Sequence, residues 1–321
     1  MLAPALAVGC TVVWKPSEFA AFSARILAEV LHEAGVPAGV FNMVHGDGAT
    51  VGAALSAHPG VDMISFTGST RAGIEVARNA APTIKRVQQE LGGKSPNLVL
   101  DDADLETSVA RGVVAAMRNS GQTCTAPTRM LVPRKCIGDV QRIARRAVEA
   151  LRVGPPTGDV DVGPVVSQTQ WDKIQSMIAS GVDQGATLIA GGVGRPVGLE
   201  EGFFVKPTVF ADVTNAMRIA REEIFGPVLS ILGYDDEDEA VAIANDTPYG
   251  LAAYVQSADV QRARRVAARL HAGQVRINAA GEDPMAPFGG YKQSGNGREG
   301  GVFGFAGYLE IKAVLGLLGK V

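Results

Sequence analysis

The chain has 321 residues, a length that predicts about two domains at roughly 100–200 residues each and excludes a minimal binding module. With 46% hydrophobic and 20% charged residues and a mean hydropathy of +0.13, it carries enough apolar material for a packed core and is not of the disordered class. Thirty Lys and Arg against 33 Asp and Glu give a net charge of −3, so no basic field exists to hold nucleic acid.

The opening MLAPALAVGCTVVW is apolar but lacks the basic flank of a signal peptide. No run reaches the about 18 apolar residues that a membrane span requires, so no membrane partner is expected and the cytoplasm is the default location. APALAVG reads as the tail of a helix entering a strand, whereas a doubly wound sheet usually begins on a strand and a phosphate-binding turn. The first lobe is therefore expected to be incomplete.

From there, short apolar runs alternate with helical patterns: TVVWK, SEFAAFSARILAEVLHEAG, VFNMVHG, ATVGAALSAH, MISFTG and STRAGIEVARNAA. Such alternation predicts βαβ units and a parallel sheet. Ser17 and Glu18 open the first long helix with cap chemistry, and Gly35 and Pro37 close it. After Glu90-Leu91-Gly92-Gly93 the alternation resumes with SPNLVL, a helix from about 104 to 118, RMLVPR, and a helix from about 137 to 151. Val153–Pro164 and GGVGRPVGLEEG read as loops. FFVKPTVF, VLSILGY, LAAYVQS and QVRIN then read as strands enclosing two further helices, DEDEAVAIAND and DVQRARRVAARLHAG, in a second α/β lobe.

Three cysteines far apart in sequence, Cys10, Cys124 and Cys136, argue for thiols in a reducing compartment rather than a disulfide framework. Cys124 lies in NSGQTCTAPTR on irregular backbone between a helix and a strand, where neighbouring N–H groups can stabilise a thiolate; a buried small hydrophobe is the alternative. Cys10 and Cys136 read as structural. Glu90 closes RVQQEL at a strand end, where the ligand crevice of an α/β sheet opens, or else is a solvated strand-end carboxylate. ISFTGSTRAG supplies a strand, a small-residue turn and a helix N-terminus suited to a pyrophosphate, although any tight strand-to-helix turn favours Gly and Ser. The four histidines are dispersed and no metal site is expected. The arginine clusters fall on solvated helix faces.

The phrases TVVWKPSE, FTGSTRAG, ELGGKSPN, GQTC, EEIFGPV, NDTPYGLAA and PFGGYKQSGNGRE together resemble, in family order, the NAD(P)-dependent aldehyde dehydrogenase superfamily. The resemblance covers the whole chain, and the Glu90-to-Cys124 interval is similar to the family's. It implies an α/β fold with a partial Rossmann-type cofactor domain (residues 1–92), an α/β catalytic domain (93–292) and a tail (293–321) returning to the cofactor domain and an oligomer interface. Cys124 of GQTC would be the nucleophile and Glu90 of ELGG the general base. Lys15 and Glu18 of KPSE resemble the residues that hold the adenosine ribose, and Gly68 and Ser69 of FTGST those at the pyrophosphate. Glu223 of EEIFGPV would grip the nicotinamide ribose. Phe225, Leu91 and Gly92 would line the nicotinamide pocket.

The implied reaction is attack of the Cys124 thiolate on an aldehyde, hydride transfer to the nicotinamide, and hydrolysis of the thioester by water that Glu90 activates. That last role needs a carboxylate raised toward neutrality by burial. The small-molecule partner is thus an aldehyde. NAD is favoured as cofactor because Glu18 would accept from a free ribose 2′-OH, and NADP is admitted only if that carboxylate swings away. Relative to the family pattern, a segment before APALAVG is missing, with the asparagine of the oxyanion hole and part of an oligomerisation arm. An amino-terminally truncated member is expected. With the missing segment present a homo-oligomer is expected, its interface including a strand over YLEIKAVLGLL. A nonenzymatic remnant acting as an interaction subunit is the alternative reading, and a thiol hydrolase working without nucleotide a third.

Overall fold

The computed structural model describes residues 1–278 and 280–316. Near the amino terminus, β1 (Val12–Trp14) and β2 (Phe41–Met43) form a parallel pair, connected through the helix Ala21–Glu33. A second ladder pairs β3 (Met63–Thr67) with β4 (Arg86–Glu90) in parallel, with Thr67 opposite Glu90. The helix Thr70–Ala80 makes that crossover, capped by the Ser69 hydroxyl, which accepts from the Ala72 N–H. These are parallel βαβ units, as the alternation predicts.

The larger sheet contains β5 (Pro96–Val99), β6 (Arg129–Pro133), β7 (Thr187–Ala190), β8 (Thr208–Ala211), β9 (Val228–Tyr234), β10 (Ala252–Gln256) and β11 (Gln274–Ile277). Their order is β11-β10-β5-β6-β9-β8-β7, and every pair is parallel except β7–β8. Period-two burial explains the composition of these strands: Val228, Leu232 and Tyr234 of β9 face one core, and Leu229 and Ile231 face the other. The first core is closed by the helices Gln168–Asp183, Glu237–Asn245 and Val260–Ala267, the second by Leu105–Met117 and Ile137–Glu149. A parallel sheet covered on both faces needs such near-continuous apolar strands.

Finally β12 (Gly295–Asn296) returns to the first lobe and pairs antiparallel with β4, placing Gly295 opposite Glu90. The seven-stranded sheet therefore begins at Pro96 of β5, and the chain rejoins the β3–β4 ladder at Gly295.

Three expectations are corrected. The helix Gln168–Asp183 and strand β7 were not read from the sequence, because QTQWDKIQSMIASGVD is polar overall; Trp171, Ile174, Met177 and Ile178 nevertheless lie at helical spacing on its buried side. Of FFVKPTVF only the last three residues, Thr208 to Phe210, are strand, since Pro207 has no N–H to donate and β8 starts at the next residue. The strand expected over YLEIKAVLGLL is not formed across residues 308–316, and residues 317–318 of that phrase lie outside the described residues. A strand requires a backbone partner; this segment is instead tied by Arg86, which donates to the Leu309 carbonyl at 3.0 Å and pairs with Glu310.

Candidate active site

Glu90 ends β4 between the Thr67 end of β3 and Gly295 of β12, and is 5% exposed. Neither carboxylate oxygen has a hydrogen-bond partner among the described residues. Burial above all, and then repulsion by Glu299, raise its pKa to about 8, with Arg298 opposing. The carboxyl thus holds its proton at neutrality and becomes a base only slightly above it. The strand end is pinned from both sides. The Glu90 carbonyl accepts from Gly68 N–H at 3.1 Å, Leu91 N–H donates to the Ser294 carbonyl at 2.9 Å, and the Ser294 hydroxyl donates to the Gly92 carbonyl at 2.6 Å.

Cys124 follows a sharp reversal in which Asn119 and Ser120 take left-handed φ values of 52° and 56°, and Gly121 takes 69°. Gly121 is required there: a Cβ would overlap the Gly226 carbonyl as well as suffer the positive φ. The Cys124 carbonyl packs on Gly93, where a Cβ would come within 2.5 Å of it, and the next carbonyl, of Thr125, accepts from the Tyr254 hydroxyl at 2.9 Å. The thiol is half-buried. Burial pushes its pKa up, and the carboxylates of Glu223 and Glu90 push it further; the backbone N–H groups of Cys124 and Thr125 draw it down by less. The expected thiolate stabilisation by backbone is present but outweighed.

Glu223 lies on the same side. Its Oε1 accepts from Gly93 N–H at 2.9 Å, and its carboxylate abuts Gly92 so closely that a Cβ there would overlap it. Phe225 adopts a φ of 58°, held by Gln170, whose Nε2 donates to the carbonyls of Ile224 and Phe225, each at 2.9 Å. The structure therefore brings Cys124, Glu90, Leu91, Gly92, Glu223 and the Gly68–Ser69 turn into one region. Lys15 and Glu18 stand apart at the end of β1. Lys15 Nζ donates to the carbonyls of Pro16 (2.8 Å) and Gly46 (3.0 Å) and lies 3.7 Å from Glu18 Oε2, which is exposed. Among the described residues neither makes a hydrogen bond or ion pair to the Cys124–Glu90 region.

Ser294, Gln170 and Lys94 are functional neighbours that the sequence did not single out. Ser294 and Lys94 lie in quoted phrases, whereas Gln170 sits on the unread helix. Cys10 and Cys136 are free and half-buried; the Cys10 thiol faces the Tyr308 carbonyl at 3.7 Å, and Cys136 packs against the second core. Among the described residues no group of three or more His, Cys, Asp and Glu is arranged for a metal, and no helix is long and apolar enough to cross a membrane.

The residues present fit a dinucleotide. A capped helix N-terminus follows β3, an uncommitted carboxylate oxygen on Glu223 faces the Gly92 backbone, and unpartnered Glu90 oxygens lie beside them.

Comparison with known proteins gives the same picture. The aldehyde dehydrogenase family matches residues 1–314. The 3-succinoylsemialdehyde-pyridine dehydrogenase of a Pseudomonas species is 58% identical over 320 residues, covering 99% of this chain and 67% of that protein. Aldehyde dehydrogenase C of Pseudomonas syringae, solved as a point variant with NAD+ and octanal, superposes with a TM-score of 0.97 at 56% identity, covering 98% of this chain and 65% of that one. A Mycobacterium tuberculosis aldehyde dehydrogenase solved with NAD+ gives a TM-score of 0.97 at 45% identity, with 100% and 66% covered. The chain thus spans about two thirds of the length of these relatives. On sequence, fold and the arrangement of the Cys124 region, this chain belongs to the NAD(P)-dependent aldehyde dehydrogenase superfamily.

Proposed function

We propose that the chain carries the chemistry of an NAD-dependent aldehyde dehydrogenase, oxidising an aldehyde to a carboxylic acid. One observation carries the reading: the Cys124 thiol, the buried Glu90 carboxyl and Glu223 share a site in which both carboxylates act on the thiol. Cys124 is the nucleophile. As thiolate it adds to the aldehyde carbonyl, and its own backbone N–H is one donor toward the oxyanion that forms. When bound, NAD supplies the hydride acceptor that turns the thiohemiacetal into a thioester on Cys124. Glu90, once ionised, takes a proton from water as that water attacks the thioester, releasing the acid and restoring the thiol.

Phe225 is proposed to pack beside the nicotinamide, with Leu91 and Gly92 lining the same pocket, and Glu223 to hold the nicotinamide ribose. Lys15 and Glu18 are assigned to the adenosine ribose, and Gly68 and Ser69 to the pyrophosphate. NAD is preferred to NADP on the Glu18 carboxylate, which repels a 2′-phosphate. The division into a cofactor domain (1–92), a catalytic domain (93–292) and a returning tail (293–321) is the one on which these assignments rest. We place the protein in the cytoplasm on its three free cysteines, and propose that, with the amino-terminal segment of the family present, it forms a homo-oligomer without a nucleic-acid partner.

The test is NADH formation from octanal, the aldehyde bound to the Pseudomonas syringae relative, followed beside Cys124→Ala. Turnover lost with the thiol supports the assignment. Absence of NADH formation together with Cys124-dependent hydrolysis of an activated ester such as p-nitrophenyl octanoate, in which p-nitrophenolate leaves as the acyl group passes to the thiol and then to water, would point instead to a thiol hydrolase, and absence of both to an interaction subunit.

A further inference from the structure

The seven-stranded sheet carries, next to the Cys124 loop, a polar shelf that the proposed reaction does not use. Ala253 and Val255 of β10 and Val275 and Ile277 of β11 pack into the first core, so Tyr254, Gln256, Gln274 and Arg276 project from the opposite face. Among the described residues the second core takes side chains from each of β5 to β9 but none from β10 or β11. That end of the face is not built into an apolar layer. A parallel sheet is ordinarily apolar on both faces, and an arginine within one of its strands calls for a reason.

Tyr254 joins this shelf to the nucleophile. Its hydroxyl donates at 2.9 Å to the carbonyl of Thr125, the residue after Cys124. Arg276 stands directly opposite Tyr254 in the β10–β11 register, with its guanidinium carbon 6.0 Å from the centre of the tyrosine ring. The guanidinium is only partly committed. Its Nε donates to Gln274 Oε1 at 3.0 Å and its Nη2 to Glu282 Oε1 at 3.0 Å, while Nη1 has no hydrogen-bond partner among the described residues. The two halves of the ion pair differ in exposure, 18% for the Arg276 side chain against 81% for that of Glu282. A carboxylate so solvated returns to water at little cost, because exposed ion pairs are weak. What remains is a recessed arginine, whose planar fork matches a carboxylate.

We propose that Arg276 is a substrate-recognition residue of the Cys124 site, which takes the carboxylate at the far end of the aldehyde, and that Glu282 occupies the guanidinium until such a substrate displaces it. The inference rests on the dehydrogenase reading of Cys124 and names its substrate class, the semialdehydes of dicarboxylic acids. An aldehyde joined to Cys124 and passing along Tyr254 lays its methylene groups on the ring and its carboxylate against Arg276. A neutral aldehyde such as octanal offers the guanidinium nothing in exchange and leaves the pair with Glu282 in place.

The test compares kcat/KM for an acid aldehyde and a neutral one of equal length: adipate semialdehyde beside hexanal, and suberate semialdehyde beside octanal. The unsubstituted chain is expected to prefer the semialdehyde of at least one pair by about tenfold or more, as a hydrogen bond between charged groups allows. Arg276→Gln should abolish that ratio through KM, with kcat little changed, because the lost contact is made equally in the ground and transition states. Damage to the fold would instead lower both aldehydes together and leave the ratio as it was. Arg276→Lys, which keeps the charge but not the fork, should restore part of it. Glu282→Gln removes the competing carboxylate and should raise the ratio by about twofold or more; its exposed side chain keeps the test available where Arg276→Gln does not fold. A ratio near one at both lengths, a preference that survives Arg276→Gln, or no gain in Glu282→Gln overturns the inference and leaves the dehydrogenase reading intact. Failure of the unsubstituted chain to oxidise any of the four aldehydes overturns both.

Discussion

Burial raises both Glu90 and Cys124, and the Glu90 carboxylate raises the thiol further, so the pH dependence of the site follows from Glu90. The Glu90 carboxyl moves from an ordinary 4.5 to about 8 in the fold, so the folded state holds its proton more tightly than the unfolded chain does. The stability this group contributes is complete below 4.5 and is lost as pH rises through 8, at about 1.4 kcal/mol per pH unit within that window. Glu90→Gln should therefore raise the melting temperature at pH 8.5 and leave it unchanged at pH 4; equal melting at both would show that Glu90 ionises without penalty. The same substitution should slow hydrolysis of the acyl enzyme about 10²–10⁴-fold while sparing hydride transfer, leaving a burst of NADH before slow turnover. Above pH 8 it also removes a negative charge beside the thiol. Iodoacetamide should then label Cys124 faster in Glu90→Gln than in the unsubstituted chain. The labelling rates of Cys10 and Cys136 should not change with Glu90→Gln, and an equal acceleration at Cys136 would argue against the coupling of Glu90 to Cys124.

At the scale of elements, the site is made where β4 ends, where the turn before Cys124 reverses, and where the tail returns as β12. Ser294 ties the tail to the β4 end and to the segment before β10: its hydroxyl donates to the Gly92 carbonyl and accepts from Gly250 N–H at 2.9 Å, fully buried. Ser294→Ala leaves both backbone groups without that partner and should cost about 1–3 kcal/mol in urea denaturation. Gly93→Ala presses a methyl group onto the Cys124 carbonyl from the facing turn. It should destabilise by about 1–3 kcal/mol and slow the acylation step, as single-turnover kinetics would register. An unaltered acylation rate would mean that the Cys124 loop can shift freely.

Across the whole molecule, apolar surface is unevenly covered. The seven-stranded sheet has helices on both faces, but Phe19, Phe22, Ile26 and Val30 on or beside the helix Ala21–Glu33 are 63%, 86%, 61% and 52% exposed, and Ile311, Val314 and Leu315 of the tail are 85% exposed or more. Surface of this kind favours association. Light scattering should show self-association, reduced by Phe22→Ser with Ile26→Ser and by Ile311→Ser with Leu315→Ser; a monodisperse monomer in the unsubstituted chain would refute this.

Much of this was legible in the sequence by itself. Alternating apolar runs and helical patterns establish parallel α/β units because a strand buried on both faces must be mostly apolar, as β5, β6 and β9 are apart from Asn97, Arg129 and Ser230, whose side chains are hydrogen-bonded. Ser69 and Asp104 mark helix starts because capping is local chemistry. The helix Gln168–Asp183 stayed hidden because only four or five of its residues face the core, and β12 because two residues carry no period. The candidate residues were nameable from short phrases, but their electrostatics were not. The rise of Glu90 depends on burial and on Glu299, and the lowering of Lys94 on burial and on Arg129. Those groups come from distant parts of the chain. Desolvation and Coulomb interaction act through space, so only the tertiary structure decides them.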